Sequence, residues 1–419
     1  AVVEAHEEGT LGFLHLPDED PAGIEKWASR KIEARWTDAV VLGIGGSSLG
    51  ARAVYETAMP DKLDGLNLHV SENIDPDSVG RLLDEVPLDT TLFVVVTKSG
   101  TTIETMGQFA IVFERIQQKL GPGRASDQIV AVTSPDSGAL RELARSNGFE
   151  TFSIPPNVGG RFSVLTPVGL VPLALAGYPV SQLLKGARLA RDRALDAPYG
   201  ENPVLQAAAD AYALYRDGMS ELVMMAYSDR LETLVDWFRQ LWAESLGKAK
   251  DRSGQEVHVG MTPVKAVGTI DQHSQVQLYM EGPANRLVTF LGVESFDTDV
   301  TIPEGEILPE QLSHLGGRTL GEVLNAELDG TQQALGEVGR PTNRWTFERI
   351  RPRSVGAFLL SWELITGVMG ELLDINAYDQ PGVELGKNIA HGRLGHPDHR
   401  EYRQGEAEGA SGLFIVGEG

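Results

Sequence analysis

The segment Leu92–Thr97, Leu-Phe-Val-Val-Val-Thr, is the clearest buried strand in the chain, and a strand that apolar must be covered on both faces. The sequence supplies the cover by alternation. Strands are expected over Ala39–Gly43, Leu66–Ser71, Leu92–Thr97, Gln128–Thr133 and Thr151–Ile154. Between them helices are expected over Ser48–Met59, Pro76–Leu83, Thr102–Leu120 and Ser137–Ser146. On the longest of these helices Ile103, Met106, Phe109, Val112, Phe113 and Ile116 recur at three-to-four spacing, which marks an amphipathic face. The pattern predicts an α/β fold with a mostly parallel sheet flanked by helices. A helical connection over Ala190–Tyr215 leads into a second α/β pattern. It contains a strand at Glu221–Tyr227, a helix at Leu231–Leu246, a strand at Arg286–Val293 and a long apolar helix at Val355–Leu373.

The 419 residues suggest roughly two or three domains at about 150 residues each. With 42% hydrophobic and 23% charged residues the balance is that of a globular protein. The net charge of −23 argues against nucleic acid and anionic membrane as partners. An anionic substrate would need a locally positive pocket set into that field. The absence of cysteine excludes disulfides, thiolate metal sites and a cysteine nucleophile, and fits a cytoplasmic protein. No signal peptide is expected from the acidic first ten residues, no apolar run is expected to span a membrane, and the scattered histidines lack metal-binding spacing. No metal or cofactor is expected.

Five segments could carry chemistry. Gly43-Ile44-Gly45-Gly46-Ser47-Ser48 follows a strand and precedes a helix, where backbone N–H groups can approach a phosphate. It is also a tight turn, and Gly43 and Gly45 with Glu72 after the next strand leave a nucleotide-binding reading open, weakened by Ser48 at the third glycine position. Thr97-Lys98-Ser99-Gly100-Thr101-Thr102 offers four hydroxyls at a helix start, either as a phosphate cup or as N-caps through Ser99 or Thr101. Val158-Gly159-Gly160-Arg161-Phe162-Ser163 places an arginine after two glycines, to reach into a site or to lie on the surface. In Gln240-Leu-Trp-Ala-Glu244-Ser-Leu-Gly-Lys248 the i, i+4 spacing allows a surface ion pair of Glu244 with Lys248. It also allows a general base, whose pKa Trp237 and Trp242 would raise. In Gly268-Thr269-Ile270-Asp271-Gln272-His273-Ser274, Asp271 and Gln272 are near enough in sequence to orient His273, itself structural or catalytic.

A sixth segment, Tyr378–Lys387, reads Tyr-Asp-Gln-Pro-Gly-Val-Glu-Leu-Gly-Lys, either the wall of a polar pocket or an ordinary turn at Pro381-Gly382 with Lys387 as a solvated surface charge. It resembles the C-terminal signature of glucose-6-phosphate isomerases. Gly159-Gly160-Arg161-Phe162-Ser163 resembles their other signature, and the two hydroxyl- and glycine-rich loops resemble the sugar isomerase domain. The resemblance covers roughly residues 38–390. It implies two sugar-isomerase-type domains, each a Rossmann-like three-layer sandwich. On this reading 1–37 is an N-terminal segment, 38–185 the first domain, 186–218 the connection and 219–350 the second domain. The stretch 351–392 is the C-terminal helix and signature, and 393–419 a flexible tail. Some N-terminal structure is expected to be missing or processed.

The activity implied is metal-free conversion of glucose 6-phosphate to fructose 6-phosphate in a homodimer. Glu244 is implied as the catalytic base, Arg161 as the stabiliser of negative charge, and His273 from the neighbouring subunit and Lys387 as ring-opening groups. Gly46, Ser47, Thr97, Lys98, Ser99, Thr101, Thr102, Gln240 and Gln380 are implied as substrate contacts. A sugar-phosphate sensor on the same fold, a nucleotide-dependent oxidoreductase, and an isomerase that also takes mannose 6-phosphate are the alternatives.

Overall fold

The centre of the first half is the apolar strand singled out above. In the computed structural model, which describes Glu4, His6, residues 8–305 and residues 307–403, every residue of β3 (Thr91–Val96) is buried. It is flanked by β1 (Asp38–Leu42) and β4 (Ile129–Thr133), equally buried, with β2 (Asn67–Ser71) and β5 (Glu150–Ser153) at the edges. All neighbours are parallel, in the order β2-β1-β3-β4-β5. Such a sheet reverses its winding between β1 and β3, and open α/β sheets bind ligands outside the carboxyl ends of the strands at that point. The Gly43–Ser48 and Thr97–Thr102 loops are the ones that leave these two strands there. On helix Ile103–Leu120, Phe109, Val112 and Ile116 are buried as the spacing predicts. Ile103, Met106 and Phe113 are only partly covered, and Gln108 joins the buried face because its Oε1 accepts a 2.6 Å bond from Ser71.

The second sheet has the order β11-β10-β6-β9, again all parallel. It uses β6 (Glu221–Ala226) and β10 (Arg286–Val293), near the expected positions, and two further strands that pattern reading missed, β9 (Thr262–Val267) and β11 (Thr342–Phe347). Both are edge strands, only partly buried, so neither needs a continuous apolar run. Pro263 in β9 would be excluded from a central strand but is tolerated at an edge. A small antiparallel hairpin, β7 (Lys248–Lys250) with β8 (Glu256–Val259), stands apart from both sheets. The expected connection consists of two helices, Val180–Asp196 and Pro203–Arg216.

Residues Ala1–Ala377 form one compact unit that contains both sheets, and Tyr378–Gly419 a second. In the second unit helix Glu384–Arg393 is followed by the short 3-10 stretch Pro397–Tyr402, so part of the expected tail is folded. The carbonyl of His399 approaches so closely that a Cβ on Gly392 would lie 2.3 Å from it. The remainder of that tail, from residue 404, lies outside the described residues.

Contrary to expectation, helix Pro352–Leu372 is long and apolar enough to cross a membrane. Its burial within the first unit accounts for that composition, with Phe358, Leu359 and Trp362 in the core. Phe358 and Trp362 join Trp237, Phe238 and Trp242 in a cluster of tilted and edge-on rings, a packing worth about 0.5–1.5 kcal/mol per pair beyond burial. One residue breaks the apolar pattern. Glu363 is fully buried, neither carboxylate oxygen has a partner among the described residues, and burial pushes its pKa well above the ordinary range.

The folded chain therefore holds Glu363 as a neutral acid, while the unfolded chain ionises it above its ordinary pKa. Stability should be greatest below that pKa and fall as pH rises, by about 1.4 kcal/mol per unit until the folded-state pKa is reached. Glu363→Gln should flatten this slope and raise the melting temperature at pH 8 relative to pH 5. Thermal melts of both proteins at the two pH values test it, and equal slopes would refute it.

Candidate active site

Arg161 is the residue around which the site is built. It sits in the 3-10 turn Gly160–Phe162 and is only 3% exposed, so the surface reading of this arginine is wrong. A buried guanidinium must have its donors satisfied. Its Nε donates to Ser245 Oγ at 2.7 Å, Nη2 to the Ala377 carbonyl at 2.6 Å, and Nη1 to Glu244 Oε2 at 3.3 Å. The turn is pinned from below by the first glycine loop. A Cβ on Gly46 would stand 2.2 Å from the carbonyl carbon of Gly160, so only glycine allows the two loops to touch. Ser163 closes the same contact with a 3.0 Å bond to the Gly46 carbonyl.

Glu244 lies near the end of helix Glu232–Leu246 and is partly exposed. Its other oxygen accepts a 3.2 Å bond from Gln240, one turn earlier. The carboxylate is thus held between a guanidinium and an amide. Trp237 and Trp242, expected to surround it with apolar groups, instead point into the aromatic core on the buried side of the helix. The expected surface pair with Lys248 also gives way to another role. Lys248 is buried and its ammonium donates to the main-chain carbonyls of Glu244 and Ser245, at 2.6 and 3.0 Å, where the helix ends. A cavity of about 600 Å³ opens beside Glu244, lined by Leu49, Arg52, Glu72, Gln240 and Pro263 among others. Arg52, which pattern reading did not single out, bonds Glu72 at 2.9 Å and Glu56 at 2.8 Å. Glu72 also accepts from Ser48 at 3.1 Å, so the acid that favoured nucleotide binding is already engaged.

The second loop is a compact hydroxyl cluster. Thr97 Oγ1 meets Thr102 Oγ1 at 3.0 Å and accepts from the Gly100 N–H at 3.2 Å. Ser99 accepts from both the N–H and the hydroxyl of Thr101. The helix cap is Thr102, rather than Ser99 or Thr101, and no side chain caps the Ile103–Leu120 N-terminus. Its first N–H groups and the dipole face the cup, as an anion requires. Gly100 adopts φ +71°, and a Cβ there would lie 2.4 Å from the Leu140 nitrogen. Ser47 is half-buried at the end of the neighbouring loop. Lys98 turns its ammonium to the carbonyls of Pro156 and Val158 at 2.8 and 3.0 Å, tying the cup to the segment that leads to Arg161. Burial pushes its pKa down.

His273 is exposed at the end of the 3-10 turn Ile270–His273. Neither neighbour orients it. Asp271 accepts from the Val267 N–H and Ser274, and Gln272 donates to the Glu327 carbonyl and to Thr331. Gln380 and Lys387 belong to the second unit. Gln380 precedes the turn Pro381–Val383, and Lys387 pairs with Glu384 at 2.9 Å.

Two parallel sheets, a hydroxyl cup at a switch point and a carboxylate set against a buried guanidinium define a sugar-phosphate isomerase type of enzyme. The comparisons agree. The chain is 45% identical to the glucose-6-phosphate isomerase of Carboxydothermus hydrogenoformans over 96% of its own length and 88% of the relative's. Among solved structures it is similar to a hypothetical protein of Thermus thermophilus, at 40% identity and TM-score 0.85, covering 92% of this chain and 91% of that one. It is also similar to a glucose-6-phosphate isomerase of Chlamydia trachomatis, at 26% identity and TM-score 0.79, covering 91% and 74%. The phosphoglucose isomerase family model matches residues 26–413, and the chain belongs to that family.

Gly46→Ala should displace the Gly160–Arg161 peptide and cost about 2 kcal/mol or more, with a loss of activity beyond the loss of folded protein. Denaturant titration and activity per folded molecule measure the two effects. A variant with wild-type stability and turnover would show that the loop contact does not set the guanidinium.

Proposed function

We propose that the chain interconverts glucose 6-phosphate and fructose 6-phosphate through an enediolate, at the hexose phosphate step of glycolysis and gluconeogenesis in the cytoplasm. The observation that carries this reading is the Glu244 carboxylate fixed by Arg161 and Gln240 at the wall of a sugar-sized cavity. Glu244 takes the proton from C2 of the open-chain aldose and returns it to C1 on the same face, while the hydroxyl proton passes from O2 to O1, and the reverse direction runs the same steps backwards. Arg161, permanently charged and buried, balances the negative charge that develops on the enediolate oxygens. The 6-phosphate binds at Ser47, Thr97, Ser99, Thr101 and Thr102 with the Gly46 backbone, so binding energy remote from the reacting carbons serves to position them. Lys98 holds the cup to the arginine segment.

His273 and Lys387 open the sugar ring and Gln380 contacts the sugar. We assign His273 to the site of a second copy of the chain in a homodimer. Its exposed position, flanked by Ile270 and Leu278 at 65% and 52% exposure, supports that assignment. The rival readings are less well supported. A nucleotide would need Glu72 free for a ribose, and a sensor would need the cup without the Glu244–Arg161 pair.

Incubated with fructose 6-phosphate in deuterated water with EDTA, the protein should yield glucose 6-phosphate carrying deuterium at C2, with the rate unchanged by the chelator. Glu244→Gln should lower kcat by about 10³-fold or more while KM stays within a few-fold, whereas Ser47→Ala and Thr102→Ala should chiefly raise KM. Comparable loss of sugar-phosphate binding in both sets would contradict the roles. Mixing Glu244→Gln with His273→Ala chains, each inactive alone, should restore about a quarter of wild-type activity if the site is shared between subunits. No restoration would place His273 in its own chain's site or outside catalysis.

A further inference from the structure

The two sheets are wound alike. From β1 the chain adds β2 on one side and then β3 and β4 on the other. From β6 it adds β9 on one side and then β10 and β11 on the other. The second sheet therefore has its own switch point, between β6 and β10, and its own crevice at the carboxyl ends of those strands. In the first sheet that position holds the hydroxyl cup. In the second it holds Arg230, after β6, bonded to Asp297, after β10, at 3.0 Å.

More charge converges there than that strut requires. Arg351, after β11, bonds the same aspartate at 2.6 Å, and Arg349 stands 3.7 Å from it. Arg230 also donates to the carbonyls of Thr57 and Ile350, which with Asp297 accounts for three of the five N–H groups of a guanidinium. Arg351 keeps half of its side chain exposed, and Lys62 is exposed with no partner among the described residues. A cavity of about 250 Å³ is lined by Lys62, Tyr178, Arg230, Asp297, Ile350 and Arg351. It shares Met59, Arg230 and Asp297 with a wider one of about 590 Å³, whose far wall includes Asp229. Lys62, Arg230 and Arg351 line the two cavities with Asp229 and Asp297, and Arg349 adds a further cation 3.7 Å from Asp297, in a chain whose net charge is −23. Three guanidiniums on one aspartate leave positive charge for a further anion. Helix Leu49–Thr57 separates this place from the first site, starting at the glycine loop and ending at the cavity about 13 Å away.

We propose that this crevice is a second anion site, separate from the Glu244 cavity, and that it takes a small phosphate monoester with a short carbon chain. Two guanidiniums and an ammonium match a dianion better than a single carboxylate. Met59, Ile350 and the ring of Tyr178 offer the apolar wall that a carbon body needs.

Calorimetric titration of the full-length protein with glycerol 3-phosphate tests the proposal. The wild type should bind two equivalents per chain. Lys62→Ala/Arg351→Ala should bind one, with isomerase turnover unchanged, and Ser47→Ala/Thr102→Ala should retain the equivalent that the first pair loses. Lys62→Ala alone alters an exposed, unpartnered side chain, so folding is not at risk, and it should weaken the second equivalent roughly tenfold. Inorganic phosphate should bind the same site more weakly, since it lacks the carbon body. A single equivalent in the wild type, a second equivalent that survives Lys62→Ala/Arg351→Ala, or an affinity indifferent to Lys62→Ala would overturn it.

Discussion

The buried guanidinium of Arg161 is the constraint on which the rest of the first unit depends. An unsatisfied charge in that position would cost several kcal/mol, so its hydrogen bonds must form for the fold to be stable. Its partners are remote in sequence. Ser245 and Glu244 lie 84 and 83 residues away and Ala377 lies 216 away. No local segment can satisfy it. The second α/β half and the end of the long apolar helix must both be in place before the arginine is comfortable, and once they are, the carboxylate beside it is fixed as well. Stability and the geometry of the proposed site are therefore set by the same contacts. Glycine at position 46 is part of that arrangement, because a side chain would separate the loop from the turn that carries the arginine.

The first sheet and the two loops at its switch point were largely legible because their signals are local. A run such as Leu92–Thr97 can only be a covered strand, and the loops after β1 and β3 announce themselves by their glycines and hydroxyls. For Arg161 and Glu244 residue type and spacing left surface readings open, and the resemblance of their segments to the family singled them out. The structure then brings them to 3.3 Å, a distance no spacing could reveal.

What was not legible depended on which way a side chain turns or on what lies far off in sequence. Trp237 and Trp242 share a helix with Glu244 but face the other way. Asp271 and Gln272 adjoin His273 and serve the backbone of Val267 and Thr331 instead. Lys248 has the spacing of a surface pair yet closes the end of its helix. Glu363 sits in an apolar helix where nothing in the pattern says whether it faces in or out. Arg230 and Asp297 are 67 residues apart, and only the winding of the second sheet makes them neighbours. β9 and β11 were missed for a related reason: edge strands tolerate polar residues and proline, so they lack the signature of the strands they border.

That edge has a consequence for how copies of this chain can associate. β9 pairs with β6 on one side only, which leaves its outer side facing any strand that another molecule presents. Pro263 removes a hydrogen-bond donor from it. Lys265 pairs with Glu232 and Asp236 of helix Glu232–Leu246 at 2.8 Å each, so this border strand also carries charge. The second sheet is thus closed to growth along this border. The open-ended stacking that an unguarded parallel edge invites is thereby suppressed on this side of the sheet.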